Sequence, residues 1–269
     1  MSAEKQFIQT VWNFYEANGR HDLPWRKTSN PYRILVSELM LQQTQVTRVI
    51  PKYKEFLKLF PTTKGLASAP LGEVLKAWQG LGYNRRAKFL WLTAKVVTNE
   101  YRGKWPSTID GLKSLPGVGV YTAGAVMNFS YNKPVALIET NVRTVYIHHF
   151  FHDKQSVSDN DLLPFISRTL DAKNPREWNW ALMDYGAYLK GVVGNVSVQS
   201  RSYKKQTPFK NSDRYVRGQI LKLLATESQS IANIFKVLDG IEKVRVRHLL
   251  KKLLAETMVV MEEGKYQLP

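Results

Sequence analysis

Apolar residues recur at helical spacing along most of this chain. Phe7, Val11, Phe14 and Tyr15 mark a first amphipathic helix. The same period predicts helices over residues 32–44, 46–60, 71–78, 84–101 and 109–114, joined by short connections marked with Gly and Pro. It continues over 119–129, 141–149, 162–170 and 177–188. Strand-like alternation is nearly absent, so the main body is expected to be all-α.

The pattern changes near residue 190. Gly191 to Asn211 is rich in Gly, Ser, Asn and Lys and lacks helical periodicity, which reads as a linker. Helical spacing returns over 213–224, 230–238 and 243–256, and 258–268 reads as two short strands about a Glu-Gly turn. Three helices followed by a hairpin form the pattern of a winged helix. Its third helix carries Lys243, Arg245, Arg247, His248, Lys251 and Lys252. That set suits contact with DNA, and it equally suits a small packing domain with a solvated basic face. The expected domains are therefore a helical body over 1–190, a linker over 191–207 and a winged-helix-like module over 208–269.

Charge narrows the class of partner. The chain has 269 residues and a formal net charge of +17, with a pI of about 9.9. An excess of this size points to a polyanion. There is no cysteine, which excludes disulfides, thiolate zinc sites and thiolate-bound iron–sulfur clusters. The opening MSAEKQFIQT has no apolar core of a signal peptide, and no run of eighteen apolar residues offers a membrane span. A cytoplasmic, nucleoid-associated protein with no membrane partner is expected. The five histidines are not spaced as a metal cluster, and most of the seven tryptophans read as core, Trp25 being the one to watch near a pocket.

Candidate chemistry sits in three segments. Leu115-Pro-Gly-Val-Gly-Val-Tyr-Thr-Ala123 is a tight Gly-rich hairpin that opens a helix. Two glycines let the backbone approach a phosphate, and the helix N-terminus behind them favours an anion. Ile138-Glu-Thr-Asn-Val142 places a carboxylate just before another helix, about twenty residues on. A carboxylate there suits a developing cation. Within Pro31–Val46, Glu38 falls in an apolar helical run, where burial is expected to raise its pKa toward that of a general acid.

Taken together, these segments resemble the helix-hairpin-helix DNA glycosylases, most closely the MutY-type adenine DNA glycosylases. The resembling stretches are Leu23-Pro-Trp-Arg26, Ser37-Glu-Leu-Met-Leu-Gln-Gln-Thr-Gln-Val46, Val49-Ile-Pro51, Phe60-Pro-Thr62, Trp78-Gln-Gly-Leu-Gly-Tyr83 with Arg86-Ala87, Leu115-Pro-Gly-Val-Gly119 and Leu182-Met-Asp-Tyr-Gly-Ala187. They are spread over about residues 20 to 188. The resemblance implies a mainly α, two-lobed glycosylase body with the small C-terminal α+β module appended. It implies a monomer that takes double-stranded DNA with a mispaired or damaged base and flips the target nucleotide out of the stack. Glu38 matches the acid that protonates a purine at N7. Glu139 matches the second carboxylate, which stabilises an oxocarbenium-like sugar. Asn141 matches a residue that positions this site. Tyr121 stands where lyase-type relatives carry a catalytic lysine, which implies base removal without strand cleavage. Gln42 and Gln43 match residues at the hole left by the flipped base, and Leu41 is a further implied DNA contact. Gly117, Val118, Gly119, Tyr83, Arg86 and Arg26 complete the implied DNA contacts. The main-chain carbonyls of Lys113, Leu115 and Val118 match a Na+ or K+ site, with no metal held by side chains and no other cofactor.

The chain departs from that pattern in three places. Glu139 stands where the family has aspartate, and its extra methylene moves the carboxylate by roughly an ångström, enough to change rates by orders of magnitude. Residues 190–206 replace the iron–sulfur loop, with Arg201, Lys204 and Lys205 as substitute DNA contacts. No Nudix-like C-terminal domain is expected, the winged-helix-like tail being unlike one. The leading expectation is removal of adenine opposite 8-oxoguanine or guanine. Removal of thymine or uracil from mismatches, and a catalytically weak mismatch- or lesion-binding protein, stand as alternatives.

Overall fold

The computed structural model describes residues 2–205 and 208–269, so Met1 and the last two residues of the expected linker lie outside the described residues. The chain is mainly helical: α1 (Ala3–Asn18), α2 (Pro31–Leu41), α3 (Val46–Leu59), α4 (Thr63–Ser68), α5 (Leu71–Ala77), α6 (Arg85–Asn99), α7 (Ile109–Lys113), α8 (Val120–Tyr131), α9 (Thr140–Phe150), α10 (Asp159–Thr169) and α11 (Pro175–Val192). The C-terminal part adds α12 (Asp213–Leu224), α13 (Ile231–Val237), α14 (Lys243–Ala255), β1 (Val260–Glu262) and β2 (Lys265–Gln267). Among the described residues, no helix is long and apolar enough to cross a membrane.

Local sequence sets the helix starts. Thr62, Thr108, Ser158, Ser212 and Ser230 each accept a hydrogen bond from a first-turn backbone N–H, satisfying donors the helix cannot. At α10 the cap is reciprocal, since Asp161 accepts from the Ser158 N–H at 2.8 Å. Asn132 ends α8 in the left-handed conformation, with φ of 52°. α4 was not predicted, because its six residues give too little periodicity to stand out from a loop.

The described chain forms two compact units. The first holds residues 2–34, 107–114 and 118–205; the second holds 35–106, 115–117 and 208–269. In the first, α1 packs on α9, α10 and α11 through an aromatic cluster. Phe7 meets Tyr146 at 5.1 Å and Phe150 at 5.0 Å, and Trp12 meets Trp178 at 5.6 Å. In the second, α3 to α6 enclose Phe56, Leu66, Trp78, Leu90 and Val97, all essentially without exposed surface. The C-terminal helices add Val216, Ile220, Leu221, Val246, Leu249 and Leu253 to the buried apolar set of the same unit.

β1 and β2 pair antiparallel, with Val260 opposite Gln267. Gln229 bridges to Tyr266 through two backbone hydrogen bonds of 2.8 Å, adding a short third edge to the wing. This module is tied to the helices of its own unit. The Gly72 N–H donates to the Pro269 carbonyl at 2.7 Å, and Lys88 Nζ donates to Thr257 Oγ1 at 2.7 Å and to the Glu256 carbonyl.

Residues expected in one body, 1–190, divide between the two units. The segment read as a linker also has structure of its own. Val196–Gln199 forms a turn of 3-10 helix. The Val157 N–H donates to the Gln199 carbonyl at 2.8 Å, the Arg201 N–H returns to the Val157 carbonyl at 2.9 Å, and Arg201 Nε reaches the Ser156 carbonyl at 2.9 Å. Such long-range backbone pairing leaves no trace in local periodicity.

Candidate active site

Glu139 is the N-cap of α9. Its Oε1 accepts the N–H of Asn141 at 2.8 Å and of Val142 at 3.0 Å, and its Oε2 lies 3.4 Å from Asn141 Nδ2. A glutamate is uncommon at a cap, yet the helix N-terminus favours its negative charge. Glu139 keeps part of its surface open. Burial of the carboxyl nonetheless raises its pKa above the ordinary glutamate value, against the lowering pull of the Asn141 and Val142 N–H groups and Arg143. Arg143 is itself fixed by a two-point ion pair with Asp159, at 2.7 and 2.8 Å.

The start of α9 is fixed from the side by α11. A Cβ on Gly186 would lie 2.3 Å from the Asn141 carbonyl oxygen, so only glycine allows this crossing. Two residues earlier, Asp184 anchors α11 to the N-terminal segment. Its carboxylate takes two bonds from Arg26, at 2.7 and 2.8 Å, and two from Arg20, from the backbone N–H at 2.8 Å and Nε at 2.7 Å. Burial works to raise the Asp184 pKa, but Arg26 and Arg20 more than reverse it and hold it below the ordinary aspartate range. Arg26, expected among the DNA contacts, is here engaged by Asp184. Its side chain is 4% exposed and stacks over the Trp180 and Tyr15 rings. The fork that suits phosphate also suits a buried carboxylate, and sequence does not separate the two.

Tyr121 sits partly exposed in the first turn of α8, behind Gly119, the residue that caps that helix. Trp25 is buried in a 3-10 turn. His149 bonds to the Tyr185 hydroxyl at 3.0 Å, and burial together with His148 lowers its pKa to about 4. It is neutral at physiological pH and serves the core. Among the described residues, no group of His, Asp or Glu could hold a metal ion.

The second unit carries Glu38, on α2, with 8% of its surface exposed. Four residues on, the helix has ended. It was expected to run to residue 44, but it stops at Leu41 and turns through Gln42 and Gln43, the latter in the left-handed region at φ of 54°. Arg86 accounts for the early end. Its Nη1 donates to the carbonyls of Leu39 at 2.5 Å, Met40 at 3.2 Å and Gln42 at 2.6 Å, and its Nη2 donates to those of Leu81 and Gly82 at 3.0 Å. The carbonyls of Leu39, Met40 and Gln42 are ones that the end of α2 would otherwise leave unpaired, while those of Leu81 and Gly82 belong to the turn before α6. Burial lowers the Arg86 pKa to about 10, still charged at neutral pH. Arg86, expected among the DNA contacts, is here engaged by backbone carbonyls of its own unit.

Gln42, Gln43, Tyr83, Arg86, Phe89 and Gly117 meet at one cavity of about 770 Å³. Gly117, at φ of 74°, lies against Phe89; an added Cβ would sit 2.5 Å from the Phe89 Cβ. The Thr93 hydroxyl donates to the Pro116 carbonyl at 2.8 Å, pinning the hairpin to α6. Val118 and Leu115 are buried, and Lys113 closes α7.

Three comparisons bear on this arrangement. Residues 36–162 match the family model of the HhH-GPD superfamily base excision DNA repair protein. An adenine DNA glycosylase of Mycobacterium tuberculosis is 31% identical over 281 residues, covering 95% of this chain and 91% of that protein. This chain belongs to the HhH-GPD superfamily, on its adenine DNA glycosylase branch. An adenine DNA glycosylase of Buchnera aphidicola is 36% identical over 68% of this chain, and the chain spans about half of that relative, 52%. Among solved structures, a thermostable thymine-DNA glycosylase superposes with a TM-score of 0.61 at 29% identity, over 69% of this chain and 86% of that one.

Arg214, Arg217 and Glu256 were not among the expected site residues, yet they line the same cavity as Gln42 and Gln43, as does Lys252 from the basic set on α14. The basic residues on α14 suited either DNA contact or a solvated basic face, and the structure divides them. Arg245 pairs with Asp213 at 2.6 Å, Lys243 and Arg247 stack on Phe235, and Lys252 turns to the cavity. The one available signal was the basic content of α12 and α14, which does not say which face each residue takes.

Proposed function

We propose that this protein is a monofunctional DNA glycosylase that hydrolyses the N-glycosidic bond of adenine facing 8-oxoguanine or guanine in double-stranded DNA. The observation that carries the reading is Glu38: a carboxyl buried on an apolar helix, one turn ahead of a strained Gln42–Gln43 turn that Arg86 holds in place. Such a carboxyl suits proton donation. In the proposed reaction Glu38 gives a proton to N7 of the flipped adenine. The bond from C1′ to N9 breaks, and its electron pair leaves with the base. Glu139 holds its charge toward the cationic sugar, with Asn141 positioning it. Water adds to C1′ and releases a proton, leaving an abasic site. Tyr121 offers no amine, so no Schiff base and no strand cleavage follow.

The net charge of +17 supports a DNA partner. The hairpin's Gly117 and Gly119 suit close approach of a phosphate. Carbonyls of Lys113, Leu115 and Val118 are neutral oxygen donors, a set that fits Na+ or K+ and no soft metal. An ion there would add positive charge beside that phosphate. With no cysteine in the chain, the residues do not fit a thiolate-bound iron–sulfur cluster.

The test is single-turnover base release from duplexes pairing adenine with 8-oxoguanine, guanine or cytosine, and thymine or uracil with guanine. Alkali reveals abasic sites, and untreated lanes reveal strand cleavage. Adenine release without cleavage in untreated lanes is expected. Thymine or uracil release would transfer the site to a second reading, which the likeness to the thymine-DNA glycosylase structure favours. Tight binding with no release would make the chain a lesion binder.

The pH dependence gives a further expected outcome. Glu139 acts as an anion, and burial raises its pKa. Its ionised form is therefore lost at a higher pH than for an ordinary glutamate of about 4.3. The acid limb of the release rate, corrected for spontaneous depurination, is expected to lie above that value. A rate still level at pH 4 would show that Glu139 does not work as the anion.

A further inference from the structure

Glu139 and Arg143 stand one turn apart at the start of α9, where the Arg143 N–H donates to the Glu139 carbonyl at 2.9 Å. This is the spacing at which an acidic residue pairs with a cation that follows it along a helix. Here that pair is not made. Among the described residues, no cation lies within ion-pair distance of the Glu139 carboxylate. The Arg143 fork is taken by Asp159, the first residue of α10, with Nε donating to Oδ1 at 2.7 Å and Nη2 to Oδ2 at 2.8 Å. The cap leaves the two oxygens of Glu139 unequal. Oε1 accepts two backbone N–H groups, at 2.8 and 3.0 Å, whereas Oε2 has one long contact, 3.4 Å from Asn141 Nδ2. Oε2 is the oxygen left to face a positive charge in the site.

Asp159 is held from its far side. Ser202 hydrogen bonds to the same carboxylate, and the residues just before α10 are tied to the stretch leading to Ser202. The Val157 N–H donates to the Gln199 carbonyl, and the Arg201 N–H and Nε donate to the carbonyls of Val157 and Ser156. The Arg143 hydrogen bond keeps the Asp159 carboxyl below the ordinary aspartate range, so it is charged at neutral pH. Other charges packed against α9 have partners of their own. From α11 come Asp184, engaged by Arg20 and Arg26, and Tyr185, bonded to His149; the 3-10 turn at Val196–Gln199 brings no titratable group. Arg143 is the cation whose field reaches Glu139. We propose that Asp159 is a positioning residue of the active site: by engaging Arg143 it keeps that cation off Glu139, so that Oε2 stays open to the cationic sugar. A direct pair between Glu139 and Arg143 would neutralise the carboxylate and draw it off the helix cap. The stretch from Val196 to Ser202 thereby takes part in the site, by holding Asp159 in place.

The inference rests on the glycosylase reading above, and its test separates the two. Asp159→Asn keeps the first turn of α10, which Ser158 caps, but removes the charge that engages Arg143. Arg143 is then expected to turn to Glu139. Single-turnover release at pH 7 is expected to fall by roughly 10- to 100-fold, the scale of an ångström of misplacement. The acid limb of the rate is expected to move to lower pH, because a carboxylate paired with a cation stays ionised further into acid. Arg143→Gln is expected to lose little release at pH 7 and to move the limb to higher pH. The double variant Asp159→Asn/Arg143→Gln is expected to recover most of what Asp159→Asn lost. A clamp that serves only the fold would make both single variants slow, the double variant no faster and the limbs unmoved, and that result would overturn the proposal. So would release from Asp159→Asn within about threefold of the parent. Carbon-13 titration of the Glu139 carboxyl, assigned by its absence in Glu139→Gln, reads the same two shifts without base release. Opposite shifts in a protein that releases no adenine would sustain this inference while removing the adenine reading. Equal midpoints in the parent and both single variants would overturn it whatever the activity.

Discussion

Glu38→Gln is expected to lower single-turnover base release by about 10²- to 10⁴-fold, the usual contribution of a positioned general acid. In barrier terms that is roughly 3–5 kcal/mol. The replacement is nearly isosteric, so α2 and the turn after it should keep their form, and duplex affinity should stay within a few-fold of the parent. What is lost is the proton. A glutamine amide has none to give to N7, and adenine then leaves as a poor anion. Both quantities are needed, because loss of release together with loss of binding would indicate a misfolded lobe. Release within about tenfold of the parent would take Glu38 out of the mechanism.

Asp184→Asn is expected to produce the largest loss of stability. Asp184 is 2% exposed in its side chain and Arg26 is 4% exposed, so their pair lies in a medium that screens little. Removing one partner of a buried pair costs about 3–5 kcal/mol, because the other charge stays buried and unpaired. The lower part of that range is expected, since Arg20 is 38% exposed and can turn to water. The pH dependence follows from the direction of the shift. Asp184 is held below the ordinary aspartate value, so its contribution is complete above the unfolded pKa of about 3.9 and is lost as pH falls through the folded one. The stability gap between parent and variant, measured by denaturant unfolding, should therefore be full at neutral pH and shrink below about pH 4. A gap under 1 kcal/mol at pH 7 would show that the clamp contributes little.

The clamp and the Arg86 hub share a lesson about arginines in this chain. Both residues lie in stretches that resemble the family's motifs, and both were expected on DNA. Each instead neutralises buried acceptors of its own unit: a carboxylate for Arg26, helix-end carbonyls for Arg86. A guanidinium satisfies a buried carboxylate, a carbonyl cluster or a phosphate with the same fork. Local sequence therefore marks such a residue without saying which partner it has. Gly186 is a related case. It lies within a recognised motif, but its reason is the passage of Asn141 against α11, a contact between residues forty-five positions apart.

The sequence by itself determined much of this protein. Helical periodicity and side-chain caps act within a turn or two, so they placed most helices to within a few residues, and they showed the three helices and hairpin at the C-terminus. The carboxylates at 38 and 139 and the Gly-rich hairpin were legible because their chemistry is written in residue type and neighbours. Only the tertiary structure decided the rest. It ended α2 at Leu41, because Arg86 from a distant helix collects its last carbonyls. It also grouped the C-terminal module with residues 35–106 and gave order to most of the stretch read as a linker. Finally, it turned Arg214 and Lys252 into the cavity beside Gln42 and Gln43. Each of these outcomes depends on contacts between residues far apart in the chain, and a local pattern of apolar and polar positions carries no information about them.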